Sequence, residues 1–170
     1  MTTYEELQKT YDACEKALDY DLSVRLRRSL SWLKRAERET DDIDASFIFH
    51  WISFNAAYAG GYSKRQDYKE RDAFNRFFGK LVRHDTDKKI YSLIWDSFSQ
   101  EVRGILNNQY IFSSYWNEDK PDDTQYWSAE FAKDTRKVNR ALAGQKTIVI
   151  LSILFQRIYV LRNQMFHGSA

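Results

Sequence analysis

The sequence predicts an all-α protein, and three observations carry that prediction. Apolar residues recur at helical spacing along almost the whole chain of 170 residues. Only 6 Gly and 1 Pro are present, too few for the many tight turns of an all-β fold. Aromatic residues make up 16% of the chain, and such side chains fill wide gaps between packed helices. With 43% hydrophobic and 29% charged residues the composition is that of an ordinary globular protein. The expectation is one helical domain over residues 1–170, with five or six substantial helices, the third and the last forming its centre.

Each element has its own signal. A first, acidic helix is expected from about Tyr4 to Asp19, and a second from about Leu22 to Glu39. In the second, Leu22, Leu26, Leu30 and Leu33 make one buried stripe. Arg25, Arg28 and Arg35 share another side, and Arg27, Lys34 and Arg38 a third. These cations are read as a solvated face paired with Glu15, Asp19 and Asp21, although such a face also suits a nucleic-acid backbone. Asp41-Asp42 offers an N-cap to a third helix, about Ile43 to Ala59, which is apolar nearly all round and ends at Gly60-Gly61. A fourth helix is expected from about Gln66 to Arg83. After a loop and cap at 84–87, a fifth runs from about Lys88 to Tyr110. Residues 113–124 are polar, contain the proline and read as a loop. A short helix near Gln125 to Phe131 follows. A last long helix then begins at Asp134 or Val138 and runs to Phe166.

Several function classes find no signal. The net charge of +2 announces no nucleic-acid binder by itself, so such a role needs local clustering. The single Cys14 cannot form an internal disulfide, which suits a reducing compartment. The first residues lack a signal-peptide pattern, and the apolar run from Ile148 to Phe155 is far short of the roughly 20 residues that span a bilayer. A soluble cytoplasmic protein without a membrane partner is expected. His50, His84, His167 and Cys14 show no metal-ligand spacing, so no metal and no cofactor are expected. Phosphate loops, dinucleotide fingerprints and nucleophile elbows are absent.

The chemistry concentrates at the C-terminus, in Arg162-Asn163-Gln164-Met165-Phe166-His167-Gly168. Arg162 and His167 are roughly 140° apart on a regular helix. A glycine-capped, distorted last turn is expected to swing His167 toward Arg162. Histidine transfers protons near neutral pH, and an arginine fork holds phosphate oxygens and offsets the charge that builds up on them. That pair suits RNA cleavage without a metal, and a two-fold dimer would supply both an acid and a base. The other reading of Arg162 and His167 is two cations complementing the helix macrodipole. Asn163 either lines the pocket or caps the helix end. Asn55, on an apolar helix, either supports the site or is a structural buried amide.

Arg-Asn-x-x-x-His-Gly closing an apolar helix resembles the signature of the HEPN superfamily of helical bundles. The third helix, Phe47-x-x-x-Trp51-x-x-Phe54-Asn55-x-x-Tyr58, is similar to the aromatic-plus-Asn helix of bacterial HEPN-like families. The resemblance implies a metal-independent endoribonuclease of toxin or defence type that acts as a homodimer and leaves a 2′,3′-cyclic phosphate. Arg162 and His167 would be its catalytic pair, with Asn163 as their polar companion. RNA is then the candidate substrate and an antitoxin a candidate partner. Two alternatives stay open: a non-catalytic nucleotide- or RNA-binding module, and a docking domain that uses Tyr110, Phe112, Tyr115, Trp116, Tyr126 and Trp127.

Overall fold

Helix termini are set by short polar side chains. Thr3 and Glu6 close a reciprocal capping box on α1 (Tyr4–Cys14), which a 3-10 turn extends to Ala17. Asp19 accepts from the Asp21 and Leu22 amides at 3.1 Å each and starts α2 (Tyr20–Ala36). The break between α1 and α2 comes earlier than expected: Asp19, read as the end of the first helix, caps the second, and Tyr20 and Asp21 belong to α2. Asp42 caps α3 (Ile43–Tyr58) through the Ala45 amide at 2.9 Å, as read from the sequence. A computed structural model describes residues 3–58, 70–116 and 124–167, and among these every regular element is helical. Gly60-Gly61 and Gly168 lie outside the described residues, as does most of the expected 113–124 loop.

The chain divides into two units, Met1–Asp67 and Tyr68–Ala170. In the first, α2 packs along α3. Ser53 donates to the Ser29 carbonyl at 2.8 Å, and the two hydroxyls lie 3.1 Å apart, so small residues let these helices approach closely. Trp32 stacks on Phe49 at 5.6 Å beside them, and Leu30, Ala36 and Trp51 are buried. Of the basic face on α2, Arg27 pairs with Glu15, Arg35 pairs with Glu39, and Arg25 donates to the Ala57 carbonyl. Asp19 and Asp21 serve the helix start instead.

The second unit is built on α8 (Thr147–His167), whose residues 150–154 are all buried. Against it pack α4 (Glu70–His84), α6 (Ser99–Leu106) and α7 (Thr124–Ala143). Phe74 and Phe78 of α4 meet Phe155 at 6.2 and 4.8 Å. Leu106 of α6, Val138 of α7 and Ile150 are sealed from solvent. Asp85 accepts from the Ile90 and Tyr91 amides, so the cap read from the sequence is present, although His84 belongs to α4 and the loop begins at Asp85.

Two helices differ from expectation. The fifth is not continuous. A four-residue α5 (Lys89–Ser92) enters a wide π-type turn over Leu93–Ser97, closed by Phe98 N–H donating to Leu93 C=O, and only then does α6 begin. It ends early because Asn107 leaves the helical region and Asn108 accepts from the Tyr110 amide, starting a 3-10 turn. The last helix is divided elsewhere than expected: α7 runs unbroken from Thr124 to Ala143 and stops at Gly144-Gln145-Lys146. Lys146 N–H donates to Ala141 C=O and Gln145 N–H to Leu142 C=O, with Gln145 at φ 46°. That is a left-handed helix stop built on a glutamine, where glycine is the usual signal.

Candidate functional site

The second unit contains a cavity of about 840 Å³ between α7 and α8. Residues 133, 137 and 140 of α7 face it at i, i+4 and i+7. Residues 156, 160, 163 and 167 of α8 face it at similar steps. Phe74 of α4 and the 3-10 segment carrying Phe112, Ser113 and Trp116 complete the wall. That segment is pinned to α8: the Tyr110 carbonyl accepts from Gln164 Nε2 and Trp116 Nε1, each at 2.6 Å.

The wall carries four cations and two carboxylates, and both carboxylates are engaged. Glu130 accepts from Ser114 at 2.5 Å and from Tyr126 at 3.0 Å. Asp134 is paired with Arg157 at 2.6 Å. Among the described residues Lys133, Lys137 and Arg140 make no ion pair, so one wall presents unneutralised positive charge. Arg157 is 5% exposed, and its guanidinium lies 4.5 Å from the Phe112 ring centroid and 5.7 Å from that of Phe131. Burial pulls its pKa below the usual arginine value, and Asp134 opposes that shift.

Asn163 and His167 therefore belong to one cavity wall, four residues apart. Arg162 does not join them there. The helix stays regular through His167, so the expected swing of His167 toward Arg162 does not occur within one chain. The Arg162 guanidinium lies 5.6 Å from the Tyr159 ring centroid and 5.1 Å from that of Phe166, and it donates to Asn163 Oδ1 at 2.7 Å. Asn55 is half-buried on α3 of the first unit. No group of three or more His, Cys, Asp or Glu side chains able to hold a metal occurs among the described residues. None of their helices is long and apolar enough to cross a membrane.

The aromatics considered for docking are partly consumed by the fold. Phe112 is buried, Tyr115 packs edge-on to Trp127 at 4.9 Å, and Tyr110, Trp116 and Tyr126 stay exposed.

The reading of the sequence missed Lys133, Lys137, Arg140, Gln156, Arg157 and Gln164. The α7 cations do repeat at helical spacing, but a helix start placed at 134 or 138 hides that stripe. Arg157 had a signal too: a charge set within the apolar part of a helix must find a partner when buried. Comparisons with protein-family models, with curated proteins and with solved structures find no match to this chain.

Proposed function

We propose that the α7–α8 cavity binds RNA and that the chain cleaves it as a metal-independent endoribonuclease of the HEPN kind. The observation that carries the reading is Asn163 and His167 lining one cavity with Lys133, Lys137 and Arg140, which make no ion pair among the described residues. Cations in that position take a phosphodiester. The exposed His167, the one imidazole among the residues that line the cavity, transfers the proton to or from a ribose oxygen, a role worth about 10²–10⁴ in rate. Asn163 donates its amide N–H to a phosphate oxygen while Arg162 holds its oxygen. In a two-fold dimer, which the family resemblance implies, Arg162 of one copy meets the phosphate held by the other.

A specific observation favours a second reading. Arg162 is turned onto Tyr159, Phe166 and Asn163 and is absent from the cavity wall, which suits binding without cleavage. One experiment separates the two. Cleavage of mixed-sequence RNA in EDTA is compared for wild type, His167→Ala and Arg162→Ala, alongside RNA affinity, with folding checked by circular dichroism. Cutting that both folded variants lose supports the nuclease. Salt-dependent binding without cutting moves the assignment to a binding module. Neither binding nor cutting removes both.

A further inference from the structure

The three α7 cations do not stand equally close to His167. Helices α7 and α8 are joined by the short turn at 144–146. Asp134 and Arg157 lie on either side of that turn, 23 residues apart, and still meet at 2.6 Å. The two helices therefore fold back antiparallel, and this pair sets their register. Lys133 adjoins Asp134 and so stands level with the Arg157 turn of α8. From there Asn163 and His167 follow along α8 in one direction, while Lys137 and Arg140 follow along α7 in the other. Helical rise puts Lys137 about 6 Å, and Arg140 about 10.5 Å, further from His167 along the axis than Lys133 is. Side chains lean toward the N-terminus of their helix, so in an antiparallel pair Lys133 and His167 lean toward each other. Lys133, Arg140 and His167 are exposed, Lys137 and Asn163 are half-buried, and all five line the cavity. Among the described residues the three cations have no counter-charge. Cations repeating once per helical turn suit a ligand whose own charges repeat, as the phosphates of a nucleic-acid strand do.

The geometry points to a division of labour along this row: Lys133 holds the scissile phosphate beside Asn163 and His167, and Lys137 and Arg140 hold the phosphates next to it on the side away from His167. The inference rests on the nuclease reading above and adds to it a catalytic cation from the same chain as the histidine. In the reaction the ribose 2′-oxygen bonds to phosphorus as the bond from phosphorus to the 5′-oxygen breaks. One proton leaves the 2′-hydroxyl and one reaches the 5′-oxygen; His167 serves one transfer, and solvent or the histidine of a second copy serves the other. Lys133 keeps its protons and offsets the charge that builds on the non-bridging oxygens, an interaction that strengthens in the transition state. Lys137 and Arg140 face phosphates whose charge does not change, so they contribute to binding alone.

The test measures cleavage of a short mixed-sequence RNA in EDTA by the intact protein and by Lys133→Ala, Lys133→Arg, Lys137→Ala and Arg140→Ala, with folding checked by circular dichroism. Lys133→Ala is expected to lower kcat about 10²-fold with a smaller change in KM. Lys133→Arg, which keeps the charge, is expected to recover most of that loss. Lys137→Ala and Arg140→Ala are expected to raise KM far more than they lower kcat. The second arm is binding of 2′-O-methyl RNA, which lacks the attacking hydroxyl, across a salt series. Each alanine variant is expected to reduce the slope of log affinity against log salt by about 0.7. Wild-type cutting in which the three alanine variants act alike, or in which Lys133→Ala changes KM alone, overturns the division of labour and leaves the nuclease in place. Unchanged salt slopes overturn the row as a phosphate track. Inorganic triphosphate binding as tightly as the RNA overturns the strand as its occupant. No cutting by wild type removes the nuclease and the catalytic role of Lys133 together, and the salt slopes then decide the track by themselves.

Discussion

Removing Asp134 should cost this protein more than removing the arginine it neutralises. The two carboxylate and guanidinium groups meet at 2.6 Å, with the Arg157 side chain 5% exposed and that of Asp134 22% exposed. In Asp134→Ala a nearly sealed cation loses its counter-charge, and breaking a buried pair from one side typically costs about 3–5 kcal/mol. The Phe112 and Phe131 rings still face the guanidinium, so the lower end applies, about 3 kcal/mol. In Arg157→Met the survivor is a carboxylate that water already reaches, and the new side chain fills most of the vacated volume. Its cost should be about 1 kcal/mol. The double variant should resemble Arg157→Met, which makes the effects strongly non-additive. Urea unfolding followed by circular dichroism reads this directly: with a slope near 2 kcal/mol/M, Asp134→Ala lowers the midpoint by about 1.5 M. An Asp134→Ala midpoint within about 0.5 M of wild type, or a larger loss in Arg157→Met, would refute the account of a sealed cation held by one acid.

Other expectations are simpler to state. Ile150→Ala, Leu106→Ala and Val138→Ala remove sealed side chains of the second unit; the first two should each cost about 2–5 kcal/mol and the valine less, measured by the same unfolding assay. Lys88 sits at φ 53° and is exposed, so Lys88→Gly should raise stability by about 0.5–1 kcal/mol, and a lower midpoint would contradict the strain. Tyr11 and Arg27 hold the Glu15 carboxyl below its usual pKa of 4.5. The stabilisation this gives is present above that value and fades as pH falls through the lower folded value. Between pH 5 and 3 the wild type should therefore lose stability more steeply than Glu15→Gln, and parallel acid limbs would dismiss the linkage. On the proposed RNA-binding reading, Lys137→Ala should weaken RNA binding and shallow its salt dependence, and fluorescence anisotropy across a salt series that shows no change would count against that reading.

How far the sequence announces this structure depends on whether the cause is local. Asp42 and Asp85 act within one or two turns, and each caps where residue type and spacing put it, whereas of the α2 leucine stripe only Leu30 is buried and Leu22, Leu26 and Leu33 are half-buried. The stop after α7 is hidden because Gln145, not Gly144, adopts the left-handed conformation. It is held by a distant partner, Tyr91, whose hydroxyl donates to Gln145 Oε1 at 2.9 Å. Trp95 donating to Thr147 is another such tie across the turn, invisible along the chain. The site divides the same way. Asn163 and His167 are legible as an i, i+4 pair on an apolar helix. Its cationic wall depends on where α7 begins, and the direction of Arg162 depends on rings at Tyr159 and Phe166 that compete for it.

The wide turn at Leu93–Ser97 holds one residue more than an α-helical turn would. Along an ordinary helix Ile94 and Val102 would point about 80° apart, and Ile94 and Leu106 about 120° apart. With one residue taken up by the turn, the effective separations are those of positions seven and eleven apart, and all three fall within about 20° of one line. All three are buried. The turn thus acts as a register correction: the surplus residue is absorbed locally and the buried seam continues past it. A chain lacking Ser97 should close into one straight helix with the same seam, so this segment is where the protein tolerates a change of length inside a helix.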